Sequence, residues 1–251
     1  MGLASLEEPL EVSSVSPDLN PKLDDLVAEI REQADRFVFL TGGASNMDPK
    51  DAPALAMFDA LADLARDGYR LAVGDGGTQA GIMAAAGHAR RASGDQFVLL
   101  GIAPTVEVPP HGDTPLDPNH SHIVTVTDPA VQKGDGWGTE TSVMFWLFAR
   151  LAEGRPSVAV LVNGGRIALK EVAATVAAAR PMIVIDGSGR AADAVACLVK
   201  GTAPASSVAD LYQHAQSLSL PGRRDLFHVL PVSAGASGLY AAIVEVLGPS
   251  A

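Results

Sequence analysis

Short apolar segments alternate with amphipathic segments along most of the chain. The apolar segments are rich in Val, Ile and Leu, and each is followed by turn residues, which is typical of strands buried on both faces. They lie at 37–40, 69–73, 97–102, 123–126, 158–162, 182–185 and 227–230. A strand is therefore predicted at each of these positions.

The segments between these strands have the spacing of helices. In 51–66, Leu55, Phe58 and Leu61 share one face, and Asp51 stands where a helix cap is expected. Further helices are predicted at 78–91, 139–152, 167–179, 190–199, 206–216 and 238–247. Alternating strands and helices indicate βαβ units, and therefore a Rossmann-like, doubly wound α/β fold with a mostly parallel sheet and helices on both faces.

Residues 1–20 contain Ser, Pro and acidic side chains without clear periodicity. They are expected to form a flexible tail, followed by a single domain over residues 21–251. The 139–152 segment is apolar on nearly all sides from Thr141 onward, so it is expected either in the core or at the interface of a homodimer.

The charge of the 251-residue chain narrows the choice of partners. With 18 Lys and Arg against 29 Asp and Glu, the formal net charge is −11. Acidic proteins repel nucleic-acid backbones and anionic lipid surfaces, so neither is expected as a partner. One cysteine and no secretion signal favour the cytoplasm. Because the chain as a whole is acidic, any site for an anion must depend on a local group of donors or cations.

Four of the strand-to-helix turns are rich in glycine. They are Thr41-Gly42-Gly43, Gly74-Asp75-Gly76-Gly77-Thr78, Asn163-Gly164-Gly165 and Asp186-Gly187-Ser188-Gly189-Arg190. In a parallel sheet these turns share the carboxyl edge, where helix N-termini favour anions. The turns predict a phosphate or nucleotide pocket, although the spacing fits neither the common dinucleotide motif nor a P-loop.

Five motifs, in order along the chain, resemble a known family. They are the run from Gly74 to Ile82, Gly101-Ile102-Ala103-Pro104, the run from Leu116 to His122, Val162-Asn163-Gly164-Gly165, and the run from Asp186 to Asp193. Together they resemble the SLOG domain of melastatin-type TRP channels and of stand-alone prokaryotic relatives. The resemblance covers roughly residues 35–200.

The resemblance implies a pocket for a nucleotide-derived small molecule such as ADP-ribose, cyclic ADP-ribose or an NAD relative. Arg190 matches a ligand-binding arginine of that family, and Trp137 matches an aromatic residue that could stack on a base. Met144 replaces a second ligand-contacting arginine, which puts ADP-ribose itself in doubt. The ligand-binding positions predicted in this way are Gly42, Gly43, Gly76, Gly77, Thr78, Gly81, Ala103, Pro104, His120, His122, Trp137, Gly138, Thr139, Gly164, Gly165, Asp186, Gly187, Ser188, Gly189 and Arg190.

Two other functions stay open at this point. The segment from Gly134 to Glu140 is similar to the G-G-x-G-T-x-x-E signature of the lonely-guy phosphoribohydrolases, with Glu140 two positions early. Glu140 is therefore a candidate catalytic residue for N-glycosidic cleavage, but a structural or ribose contact is favoured over catalysis. A scaffold subunit that has lost its site is the third alternative. No cofactor or metal is expected, because the His120 and His122 pair lacks a third nearby ligand.

Overall fold

The computed structural model describes residues 9–14, 17, 20–44, 47, 51–218 and 220–250. Their strands are β1 Leu10–Ser13, β2 Arg36–Gly42, β3 Leu71–Asp75, β4 Val98–Pro104, β5 His122–Thr127, β6 Ser157–Val162, β7 Met182–Asp186 and β8 Phe227–Pro231. Their α-helices are α1 Pro21–Gln33, α2 Ala52–Ala56, α3 Asp59–Arg66, α4 Gly81–Ala92, α5 Thr141–Ala152, α6 Arg166–Ala177, α7 Arg190–Lys200, α8 Ala209–Ser217 and α9 Gly235–Leu247.

These strands form a single sheet in the order β1-β5-β4-β3-β2-β6-β7-β8, and every neighbouring pair is parallel. Along the chain, β3, β4 and β5 are added one after another on one side of β2. The chain then returns through α5 to β6, on the other side of β2. The direction of winding therefore reverses between β2 and β6, which is where open α/β sheets bind ligands.

Helices cover both faces of the sheet. Val38 and Leu40 of β2 pack with α2, α3, α4 and α9, whereas Phe37 and Phe39 pack with α1 and α5. Phe39 is in register with Ala159 of β6, which packs with α6, α7 and α8. Alternation along β2 therefore places α1 and α5 to α8 on one face and the other four helices on the opposite face. The Rossmann-like α/β fold expected from the sequence is confirmed.

The expectation of a loose tail is wrong where residues 10–13 form β1. Each residue of β1 is in parallel register with β5, and the Val12 side chain is 3% exposed in the core beneath α1. A four-residue strand with one inward side chain has too weak a period to stand out in sequence. The other tail residues, apart from 9, 14, 17 and 20, lie outside the described residues.

The helices differ from the expectation in two places. The segment 51–66 folds as two helices, α2 and α3, and Asp51 makes no side-chain capping bond to α2. Pro21 begins α1, which was not anticipated. The α5 helix buries Val143, Leu147 and Phe148 against the sheet, so packing within the chain accounts for much of its apolar character. None of the helices described is long and apolar enough to cross a bilayer.

Candidate functional site

The glycine turns after β2 and β6 are in backbone contact at the switch point. A β-carbon on Gly42 would lie 1.8 Å from the Val162 carbonyl oxygen, and one on Gly164 would lie 3.1 Å from the Gly42 Cα. Gly42 also has a φ of +145°, a conformation that L side chains rarely adopt. Glycine at these positions is required by the close approach of two strands, whether or not a ligand is present.

The turn after β7 is hydrogen-bonded to the same place. The Asn163 amide donates to the Ser188 hydroxyl over 2.9 Å, and the Asn163 side-chain amide donates to the Ser188 carbonyl over 2.8 Å. A β-carbon on Gly189 would lie 3.1 Å from that side-chain nitrogen. The turns after β2, β6 and β7 therefore form one contiguous floor at the carboxyl edge.

Four amides at the start of α7, those of residues 187, 189, 191 and 192, are occupied by the protein itself. Asp193 accepts from the amides of Gly187 and Gly189 over 2.8 and 3.0 Å. The amides of Ala191 and Ala192 donate to carbonyl oxygens of the β6 turn. Asp186 is ion-paired with Lys200. This turn is consequently a poor anion cradle, although it is one of the four glycine-rich turns.

The start of α6 is different. Its first helical hydrogen bond is from Leu169 to Gly165, and the four preceding amides, those of residues 165 to 168, have no partner among the described residues. No acidic residue lies in its first turn and no side chain caps it. Free amides and the positive end of the helix dipole make this the place where an anion is best accommodated.

Arg190 supplies a cation beside these amides. Its side chain is exposed, and its Nη2 lies 3.0 Å from where a β-carbon of Gly165 would be. The residue has a φ of +50°, which is uncommon for a side chain of this size. The guanidinium thus lies over the glycine that precedes α6, in position to bind an anion together with the amides.

The turn after β3 is packed differently. Gly77 lies against Gly101 of β4, and Thr78 forms a bridge with Leu116. The Gln79 amide donates to the Pro115 carbonyl over 2.8 Å. Residues 114–120 therefore cover this turn, and Asp75 Oδ1 accepts from the Gly77 amide over 2.7 Å, whereas Asp75 Oδ2 is buried without a hydrogen-bond partner among the described residues. Its link to the switch point is Gly81, whose β-carbon would meet the Gly43 carbonyl oxygen.

His120 lies between two carboxylates below that turn. Its Nε2 is 2.8 Å from Asp75 Oδ1 and its Nδ1 is 3.1 Å from Asp117 Oδ2, with the imidazole fully buried. Burial lowers the pKa of His120, but the charges and hydrogen bonds of Asp75 and Asp117 outweigh burial and raise it to about 9. His120 is therefore a cation at neutral pH, with neither ring nitrogen free to contact a ligand.

His122 and the end of β4 are also away from the switch point. The His122 ring is hydrogen-bonded to Ser121 and to Glu29 of α1. Ala103 and Pro104 lie in register with Thr125 and Val126 of β5, and both are buried. The structure does not bring these predicted ligand positions to the floor formed by the turns after β2, β6 and β7.

An apolar rim stands beside the α6 amides. Trp137 and Ile167 are 42% and 37% exposed, and they are the two exposed large hydrophobic side chains within the described part of the chain. A β-carbon on Gly138 would lie 3.8 Å from Ile167, so the loop before α5 approaches the start of α6. Buried Glu107 holds that loop by accepting from the Gly134 and Gly136 amides over 2.7 and 2.8 Å.

Two carboxyl groups, Glu140 before α5 and Glu171 within α6, are buried, and the charge of Glu140 acts on Glu171. Glu140 precedes α5, is 6% exposed, and accepts from the Gly138 amide over 2.8 Å. Burial raises the pKa of Glu140 to about 7, against the effect of hydrogen bonds from the Glu140 and Gly138 amides. Glu171 is 8% exposed, and its pKa rises to about 8 because of burial and the charge of Glu140, opposed by a hydrogen bond with Thr41.

Glu171 was missed by the sequence reasoning, although a signal for it exists. From Gly164 and Gly165 to Glu171 the spacing equals that between the first glycines and the glutamate of G-G-x-G-T-x-x-E. Ile167 and Ala168 stand in place of the Gly and Thr of that signature, which hid the match. Glu140 comes from a different loop, and its charge acts on Glu171 only in the folded chain.

The all-parallel, doubly wound sheet with glycine turns at its switch point defines a Rossmann-like α/β protein with a candidate nucleotide-related site. A family model described as "SLOG in TRPM, prokaryote" matches residues 36–226, and the chain belongs to this family. The resemblance noted from the five motifs is thereby confirmed. A comparison with curated proteins found no match.

Proposed function

We propose that the protein binds a nucleotide-derived small molecule at the switch point, with a phosphate at the first turn of α6. The observation that supports this most directly is the set of four amides at residues 165–168 that lack a partner among the described residues, next to the exposed guanidinium of Arg190. The net charge of −11 makes such a local cation the main attraction for an anion. Family membership agrees with a nucleotide-related function.

The neighbours of the α6 amides fit the other parts of a nucleotide. Trp137 is half-exposed on the loop that approaches Ile167, so its ring is available for stacking on a base. We place the sugar near Glu171, which lies in α6 itself, and near Glu140, whose charge acts on Glu171. ADP-ribose, cyclic ADP-ribose and NAD-related compounds all combine these parts, and they are the ligands we propose.

Arg190→Ala tests this directly. Calorimetry with ADP-ribose, cyclic ADP-ribose, NAD and AMP should show binding to the wild type. Affinity for the phosphate-bearing ligand should fall by about 1.5–3 kcal/mol in the variant, because a charge-assisted hydrogen bond is lost. Arg190→Lys should recover only part of this, since a point charge cannot reproduce the guanidinium fork.

Arg91→Ala is the matched control. Arg91 is an exposed arginine in the last turn of α4, paired with Asp95, and its loss changes the net charge equally. Equal weakening by both substitutions would mean that only overall charge matters. If Arg190→Ala binds as tightly as wild type, then Arg190 is a solvated helix-start residue and the proposal fails. Chromatography of the same mixtures shows whether any base is released, which would favour the hydrolase alternative.

A homodimer through α5 and a cytoplasmic location stay predictions. The outward side of α5 still presents half-buried Phe145 and Trp146 beside exposed Ala149. A dimer mass by light scattering at micromolar concentration would support the homodimer, and a monomer mass would remove it.

A further inference from the structure

A cleft lined by two arginines opens at the amino edge of the sheet, the edge opposite to the glycine turns. It lies where α5 and α6 end and where β6 and β7 begin. Its volume is about 460 Å³, which is within the range of small-molecule sites. Ala178 and Val246 belong to its small apolar walls, and its polar side chains are those of Arg155, Ser157 and Arg180. Among the described residues, no carboxylate lines it.

Arg180 is a buried cation whose neighbours are neutral. The residue is 6% exposed, and the centre of the Phe39 ring lies 4.4 Å from its Cζ. Its Nε donates to the Ser157 hydroxyl over 3.1 Å, and its Nη2 donates to the Phe148 carbonyl oxygen over 3.2 Å. Burial lowers the pKa of Arg180 to about 10, and no carboxylate of the described residues opposes this. Because buried charges in proteins are normally paired, Arg180 has capacity for an anionic partner.

Arg155 brings a second guanidinium to the same cleft. Its Nη1 donates to two backbone carbonyl oxygens at the end of α1. Its Nε and Nη2, like Nη1 of Arg180, have no hydrogen-bond partner among the described residues and are not among the fully buried atoms. Asp35 is the carboxylate whose charge acts on Arg155, but it already pairs with Arg36 and Arg70. The cleft therefore offers donors on two cations and has no counter-charge of its own.

We propose that this cleft is a second ligand site, in which Arg155 and Arg180 bind the oxyanion of a small organic acid, either a carboxylate or a phosphate ester. Guanidinium groups bind both kinds of oxyanion through parallel, charge-assisted hydrogen bonds. The apolar part of the ligand packs on the alanine side chains of the walls. The cleft and Arg190 lie at opposite edges of the sheet, so this site is independent of the proposed nucleotide site.

Benzoate and phenyl phosphate are suitable probes, because each joins one oxyanion to an apolar ring, and benzamide is the neutral control. Calorimetry at pH 7 should give a Kd of about 1 mM or lower for at least one of the two anions, and binding of benzamide about tenfold weaker or more. The anion that binds more tightly identifies the head group. Arg155→Met and Arg180→Met should each weaken its binding by about tenfold or more. Arg91→Met removes an exposed arginine of α4, paired with Asp95, and should leave it unchanged.

Ala178→Phe tests the location of the site without removing either arginine, and so does not depend on whether Arg180→Met folds. It places a ring in the cleft and should abolish binding of the probe. Ala177→Phe, at the neighbouring exposed position outside the lining, should bind the probe like the wild type. Arg190→Ala should also leave binding unchanged. Phenyl phosphate binding that disappears in Arg190→Ala but persists in Arg180→Met would place the probe at the start of α6 and overturn the inference.

Other outcomes also overturn the inference. They are binding of neither anion, equal binding of benzamide, equal weakening by Arg91→Met, and binding that persists in Ala178→Phe. These results leave the proposed function untouched, because AMP and ADP-ribose are expected at the other edge of the sheet. Conversely, failure of AMP and ADP-ribose to bind would refute the proposed function and would leave this second site standing.

Discussion

Replacing Glu171 with glutamine should stabilise the protein at neutral and alkaline pH. Burial and the charge of Glu140 raise the pKa of Glu171 from 4.5 to about 8, with the Thr41 hydrogen bond acting in the opposite direction. In the unfolded chain the carboxyl ionises near its ordinary pKa. Folding at pH 7 must therefore return a proton to it, and this costs free energy that an uncharged amide does not require.

The magnitude follows from the two pKa values. Each pKa unit corresponds to roughly 1.4 kcal/mol, so the cost is absent below pH 4.5 and reaches about 3 kcal/mol at pH 7. It levels off at about 5 kcal/mol once the pH exceeds the folded pKa of about 8. These are upper values, because water that enters near the carboxyl reduces the penalty. Because the folded pKa of Glu171 is raised, its unfavourable contribution to the free energy of unfolding is smallest at acid pH and grows as the pH increases.

Urea unfolding of the wild type and Glu171→Gln between pH 4.5 and 9 measures this effect. The two free energies of unfolding should be close at pH 4.5 and should diverge steadily up to about pH 8, with the variant more stable. Glu245→Gln removes an exposed carboxyl from α9 and should track the wild type at every pH. Parallel curves for the wild type and Glu171→Gln would refute the reasoning, because they would show that the carboxyl titrates alike in both states.

Three further substitutions test other parts of the structure. Gly42→Ala places a β-carbon 1.8 Å from a carbonyl oxygen and should cost more than about 2 kcal/mol in urea unfolding, whereas Gly222→Ala, with open space around it, should stay within about 0.5 kcal/mol. Asp193→Ala removes the acceptor of two amides at the start of α7 and should lower the free energy of unfolding by about 1–2 kcal/mol; an unchanged value would contradict the cap. His120→Gln should lower the free energy of unfolding by about 3 kcal/mol at pH 6 but by less at pH 10, since the wild-type imidazolium loses its proton as the pH rises through about 9. A loss that does not depend on pH would show that His120 is not a cation.

The sheet was predictable because its strands are buried on both faces. Seven apolar runs are long enough to be distinguished from helices, and the glycine turns after them identify the carboxyl edge. The strand β1 was not predictable, since a short edge strand with one buried side chain, Val12, carries almost no pattern. It exists because β5 offers an unpaired edge, which is a property of the fold and not of the local sequence.

The site was predictable as a region and only partly as a set of residues. The sequence shows glycine in each of the four turns and does not tell which turn keeps its amides free. The hydrogen bonds of the folded chain do tell. Asp193 occupies the amides of one turn, residues 114–120 cover another, and the start of α6 stays open. Glu140 and Glu171 come from different segments of the chain, before α5 and within α6, so the motif around Glu140 gave no indication of Glu171.

Glu107 has a consequence for how fast and how tightly a ligand can be bound. Its buried carboxyl fixes the Gly134 and Gly136 amides and so holds in place the loop that presents Trp137. A loop with three glycines in five residues would otherwise sample many conformations, and ordering it on binding would consume part of the interaction energy. In this protein that ordering is completed during folding. The aromatic ring is therefore available at the first encounter, and little affinity is lost to immobilising the loop.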